Sequence, residues 1–354
     1  MIWTDSEPEQ RHKPALWIGF GGAAVAALFA LFLPHEASVW RLPQVLKARV
    51  ADSLTAAGMP GLVIEMNGQH VTLRGVVESE ADIPTARHAA LTAAGPGGAW
   101  SGGVTSVDVS GLHVGPFTRP YVWTAERGNG RLVLSGSVPS EETRRSILRQ
   151  AEAIPNTQVV NQMRVAGGAT SPLFTDVAAQ ALNHLHLLRT GEVRIADNLI
   201  VLIGEGSDAN VKALRRAYAA PQAPFRVRIE AWSDGLDLAH PELQGINLVS
   251  GSAAACTQAF ARLTEQRNLG FAANSALIDT RSHPLLDALT SVALHCDRFA
   301  INVRGPAQGG AALSLARAQT VTAYFASQGV WASRLNADAG GAAGVSFDVA
   351  GGPP

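Results

Sequence analysis

The chain has only two cysteines in 354 residues, Cys256 and Cys296, both in its last third. Two thiols cannot supply a four-thiolate zinc site, which excludes the thiolate-rich metal folds. The choice left is between two buried thiols and one disulfide, and the compartment decides it. An excess of charge is missing too: the formal net charge is −1, and charged residues make up 16% of the chain. Such a balance gives no dominant attraction to nucleic acid or acidic lipid, so nucleic acid is not an expected partner. No Ser-His-Asp set, paired carboxylates or phosphate loop stands out, so no enzyme, catalytic residue or cofactor is expected. His184 and His186 in "NHLHLL" lie two apart on an expected helix. That spacing points them to different faces, whereas a shared metal needs i and i+4, so no metal site is expected.

What is present begins with hydrophobicity, 47% of the residues, enough for packed cores. The length predicts several domains of ~100 residues or fewer. Residues 15–33, "ALWIGFGGAAVAALFALFL", contain no charged or amide side chain. At ~1.5 Å per residue this run spans roughly a bilayer core. Arg11 and Lys13 precede it, Trp17 and Trp40 lie near its ends, and Pro34 ends it. The pattern predicts a cytoplasmic tail over 1–14 and a transmembrane anchor over 15–34. The expected location is the bacterial inner membrane, single-pass, with the bulk in the periplasm. A buried core helix and a cleaved signal peptide are the alternatives. "PHEAS" at 34–38 is a poor cleavage site, because His35 fills the outer small position.

The middle of the chain repeats itself. "NGQHVTLRGVVESEADIPTARHAAL" from Asn67, "NGRLVLSGSVPSEETRRSILRQAEA" from Asn129 and "DNLIVLIGEGSDANVKALRRAYAA" from Asp197 share one rhythm. Each has a turn, a strand, a glycine (Gly75, Gly136, Gly204) and a helix, and a second strand follows. Ser79 with Asp82 reads as a capping pair, and Ser140 and Ser207 sit at equivalent N-cap positions. A helix also precedes the first and third repeats and is weak or absent before the second. The glycines read as strand-end or bulge positions rather than ligand contacts. This rhythm resembles the BON domain, a small α+β module of bacterial envelope proteins, over modules at 40–115, 116–170 and 171–235. The resemblance implies contact with phospholipid or other envelope partners, and no catalysis.

From Gly251 helices alternate with strands: helix 252–267, strand 268–273, helix 282–296, strand 299–304, helix 311–328 and strand 344–349. The expectation is a layered α/β sandwich. "LGFAANSALIDTRSHPLLDALTSVALHC", "FAINVRG", "LSLARAQTVTAYFASQGV" and "RLNADAGG" are similar to the OmpA-like peptidoglycan-associated domain, over 251–350. That resemblance implies binding of the diaminopimelate carboxylate and amine of a peptidoglycan stem peptide. Arg317 matches the family's helix arginine and Asn274 a polar loop position. Gln308 stands where the family has an acidic residue, so the ion pair with the amine is lost, a cost of ~1.5–3 kcal/mol. Ser314 and Arg317 either cap and solubilise the helix or hold an anion at its N-terminus, with Ser314 capping. Read as an exposed helix residue, Arg317 contributes little to stability. In a periplasmic domain Cys256 and Cys296 are expected to form a disulfide between two helices.

The expected fold class is therefore α+β: an N-terminal transmembrane helix, three BON-like modules and a C-terminal OmpA-like βαβ sandwich. The expected function is a non-catalytic tether between the inner membrane and peptidoglycan or an envelope protein partner. A structural partner-binding subunit that has lost wall binding is the alternative. A flagellar stator-type subunit is disfavoured, because residues 15–33 contain no aspartate.

Overall fold

The computed structural model describes residues 42–94, 103–233, 252–265, 267–341 and 343–351. The fold there is α+β, in two compact units that divide after Val114. No helix among the described residues is long and apolar enough to cross a membrane. This corrects the expected fold class. The helices described carry a polar face, as Glu141, Glu142, Arg145 and Arg149 give the helix Glu141–Glu152, and such a face breaks the apolar run a bilayer requires. Segment 15–34, on which the anchor expectation rests, lies outside the described residues.

The first unit contains α1 (Leu42–Ala56), β1 (Val63–Asn67), β2 (His70–Val77), α2 (Asp82–Leu91) and β3 (Ser106–Val114). The sheet order is β1-β2-β3, with an antiparallel hairpin and a parallel third strand. Leu46, Val50 and Leu54 recur every four residues along α1 and are all buried. That stripe is one helix face. Ile64, Val71, Leu73, Ala86 and Ala90 are buried in the same unit. The backbone N–H and the hydroxyl of Ser79 both donate to Asp82 Oδ2, at 2.8 and 3.1 Å, and hold the entry to α2.

The second unit opens with β4 (Val122–Gly128), β5 (Arg131–Val138), α3 (Glu141–Glu152) and β6 (Gln158–Val165). It continues through α4 (Phe174–Leu185), β7 (Leu188–Ala196), β8 (Leu199–Gly206), α5 (Asp208–Ala217) and β9 (Arg226–Trp232). The segments read as separate modules share one six-stranded sheet, ordered β6-β5-β4-β7-β8-β9. The join is antiparallel pairing of β4 with β7, with Ala125 opposite Val193. Ser140 and Ser207 accept from the N–H groups of Thr143 and Asn210 at 3.1 and 3.2 Å and cap α3 and α5. Gly136 and Gly204 do more than end a strand. Both have positive φ, 89° and 157°, and a Cβ there would lie 2.3 Å from the Val122 carbonyl or 2.4 Å from the Thr190 carbonyl. Only glycine fits such an approach of neighbouring strands.

One face of this sheet carries α3, α4 and α5 over Trp123, Leu134, Ile195, Ile200 and Leu202. On the other face Leu199 and Val201 enter the core of the C-terminal module. That module has α6 (Ala253–Glu265), α7 (His283–His295), β10 (Ala300–Pro306), α8 (Ala311–Ser327), β11 (Leu335–Gly341) and β12 (Ser346–Ala350). Its sheet is ordered β11-β10-β12, with β10 parallel to β11 and antiparallel to β12. Two details differ from the sequence reading. The strand expected at 268–273 is a loop, because Phe271 makes only an isolated bridge to Ile278 and the turn closes on itself through Ala272 N–H to the Leu277 carbonyl. "LNADAGG", read without a strand, is β11.

Candidate functional site

The residues singled out by sequence meet at the N-terminal end of α8. Gly310, with φ 90°, is the N-cap, and Ser314 lies inside the helix. Ser314 is fully buried and does not cap. Its hydroxyl donates to the Gly305 carbonyl at 2.7 Å and accepts from the Gly340 N–H at 3.0 Å. One side chain thus ties α8 to the ends of β10 and β11. A Cβ on Gly305 would lie 1.8 Å from the Ser314 carbonyl oxygen, so the strand and helix can close only over glycine.

Arg317 is 8% exposed, not the solvated helix arginine of the sequence reading. Its Nε donates to the Ser275 carbonyl and its Nη1 to the Gln308 carbonyl, each at 3.0 Å. The guanidinium carbon sits 5.2 Å from the centroid of the Phe271 ring. Two loops, 271–278 and 305–310, are therefore clamped onto the helix by one cation. Asn274, exposed at φ 52°, and Gln308, also exposed, flank this clamp. The structure brings the neighbourhoods of all four residues together, but Nε and Nη1 of the guanidinium donate to backbone carbonyls rather than to an acidic side chain. Leu277 stands 70% exposed on the same loop.

Cys256 and Cys296 form a disulfide with Cα atoms 6.1 Å apart, linking α6 to the end of α7. Beside it Arg334, buried, donates from Nε to the Phe299 carbonyl at 2.9 Å and from Nη2 to the Cys296 carbonyl. His184 stacks edge-on against Tyr218, 5.0 Å between centroids, and burial lowers its pKa. No group of metal-binding side chains occurs among the described residues.

A second constellation escaped the sequence reading. It joins the back face of the third repeat to the C-terminal module. Arg194, buried, donates to Glu192 at 3.0 Å and to the Gly329 carbonyl at 2.5 Å, and its guanidinium lies 4.2 Å from the Trp331 ring centroid. Arg228 donates to Glu230 at 2.7 Å, to the Asp287 carbonyl at 2.9 Å and to Ser291 at 3.1 Å. Ser291 in turn donates to Glu230, which is 1% exposed. Tyr324 donates to Asp287 at 2.6 Å, and burial with that hydrogen bond raises its pKa to about 12. The signal in the sequence was the run "LIVLI" at 199–203. A strand apolar at every position is covered on both faces.

A BON domain model matches residues 125–167, which span most of β4 through β6. No curated protein matches the chain. Two solved structures are similar in part. One is described as CdsD, a structural protein of the type III secretion system of Chlamydia trachomatis, at 15% identity, covering 53% of this chain and 90% of that one, with a TM-score of 0.15. The other is the C-terminal domain of CdsD, from the same organism, at 14% identity, covering 53% and 96%, with a TM-score of 0.15. At these TM-scores the likeness supports nothing about fold or function.

Proposed function

We propose that this chain is a non-catalytic structural subunit of a bacterial envelope assembly. Its BON-like repeats are the scaffold, and its OmpA-like C-terminal module has exchanged wall binding for internal docking. The observation that carries this reading is Arg317. A guanidinium that is to seize a carboxylate must present a donor pair, and here Nε and Nη1 hold two loop carbonyls. Gln308 gives no acidic partner for an amine. The BON match supports the scaffold part, since that module is an envelope fold. The oxidised Cys256–Cys296 pair fits a compartment outside the cytoplasm.

The test is co-sedimentation of the full chain with purified peptidoglycan sacculi, beside urea unfolding of Arg317→Ala. The expected result is no sedimentation and a stability loss of about 2 kcal/mol, because a buried cation bonded to two loops is removed. Wild-type sedimentation that Arg317→Ala abolishes, with stability unchanged, would instead establish the wall tether.

A further inference from the structure

The back face of the sheet is not equally covered. Beside the docked C-terminal module a cavity of about 370 Å³ opens over the second repeat. Its lining includes Thr124 and Glu126 of β4, Ser135 of β5, Arg164 of β6, Glu192 of β7 and Trp331 of the C-terminal module. Two modules thus build one concavity, within the ~300–1,000 Å³ of small-ligand sites and at the kind of junction where they occur.

The lining decides the ligand chemistry by exclusion. An anion meets Glu126 and Glu192, which stand directly opposite each other on β4 and β7. A cation meets Arg164 in the wall, and Glu192 is already paired with the buried Arg194 behind the lining. That leaves one charge of each sign, Glu126 and Arg164, so that neither a simple anion nor a simple cation is favoured. An apolar molecule would leave hydroxyls and charges without water. What remains is a neutral molecule rich in hydrogen-bonding groups that also has one apolar face. Planar carboxylates and guanidinia, which accept or donate along two directions, suit neighbouring hydroxyls on such a molecule. The half-buried Trp331 ring, fixed by Arg194 at 4.2 Å, offers a surface for its C–H face. Thr124 and Ser135, hydrogen-bonded to each other at 2.6 Å, supply a hydroxyl floor. We infer that this cavity binds a short neutral saccharide, a role that goes beyond the scaffold reading and does not depend on the Arg317 clamp.

The experiment is isothermal titration of the full chain with chitotetraose and maltotetraose, with arginine amide and inorganic phosphate as the charged probes. At least one saccharide should bind and both charged probes should fail. Trp331→Ala and Glu126→Gln should each weaken saccharide binding about tenfold or more, the loss of one good contact. Because Trp331 also covers Arg194, the exposed Glu126→Gln stands as the variant that leaves the fold intact. The inference is overturned if neither saccharide binds, if Glu126→Gln leaves binding unchanged, or if a charged probe binds more tightly.

Discussion

The second and third repeats share a hairpin, a helix and a parallel strand, yet one is covered on both faces and the other on one. The strands β5 and β8 show why. "RLVLSGSV" places Arg131, Val133 and Ser135 on the back face, and "LIVLIGEG" places Leu199, Val201 and Ile203 there. Their front faces are alike: Leu132 and Leu134 against Ile200 and Leu202. The helices accordingly pack in the same way on both repeats. Only the third repeat offers an apolar back to the C-terminal module, and around that centre it adds Arg194, Arg228 and Glu230. At the position of Arg228 the second repeat has Val160, since β6 and β9 pair in equivalent registers with β5 and β8. A shared fold is fixed by the face the repeats have in common, and docking by the face on which they differ.

The largest blow to this difference should come from within the covering module. Replacing Cys256 and Cys296 by serine opens a link across 40 residues. The loop-entropy relation gives about 4 kcal/mol for it. In a urea titration the near-ultraviolet signal of the C-terminal module should then be lost early, while far-ultraviolet signal from the six-stranded sheet persists; simultaneous loss would make the two a single cooperative block. Next comes the seam itself. Arg228→Leu removes a partner of the buried Glu230 and should cost about 3 kcal/mol. Val160→Leu at the equivalent place in the second repeat should cost about 0.5 kcal/mol or less. Equal losses would erase the distinction between the two backs. The smallest effect is set by pH. The Tyr324 phenol, raised to about 12 by burial and by its bond to Asp287, holds its proton more tightly folded than unfolded. Its contribution is complete below about pH 10 and fades as pH rises through about 12. A stability profile in Tyr324→Phe should therefore show a smaller alkaline loss than wild type over that window, the remainder coming from Tyr121 and Tyr218, whose phenols burial also raises.

The repeats were legible because their signals are local: turn residues, a glycine at each strand crossing, and Ser140 and Ser207 before their helices. β11 was not, since "LNADAGG" has no β-branched or aromatic residue and becomes a strand only by lying beside β10. The strand expected at 268–273 failed for the opposite reason, an apolar start that turns back through Ala272 and Leu277. The α8 site was half legible. The sequence placed Ser314 and Arg317 near one helix end, but burial and the choice of carbonyl partners depend on loops whose course no pattern gives. The seam residues were missed because Arg194 and Arg228 look like ordinary polar positions on alternating strands.

The pairing of β4 with β7 has a consequence for inheritance. The segment matched by the BON model contains β4 from Ala125 onward, whose outer ladder is satisfied by β7 of the next repeat. Cut out alone, it would bare three paired positions, Ala125 to Arg127. It would also lose α4, whose Thr175 meets Thr143 of α3 at 3.0 Å. These two repeats are therefore not interchangeable beads. They form a couple across one sheet, whereas the first repeat has a three-stranded sheet of its own, so a shortened chain that keeps only one of the pair exposes a strand edge that the first repeat never shared.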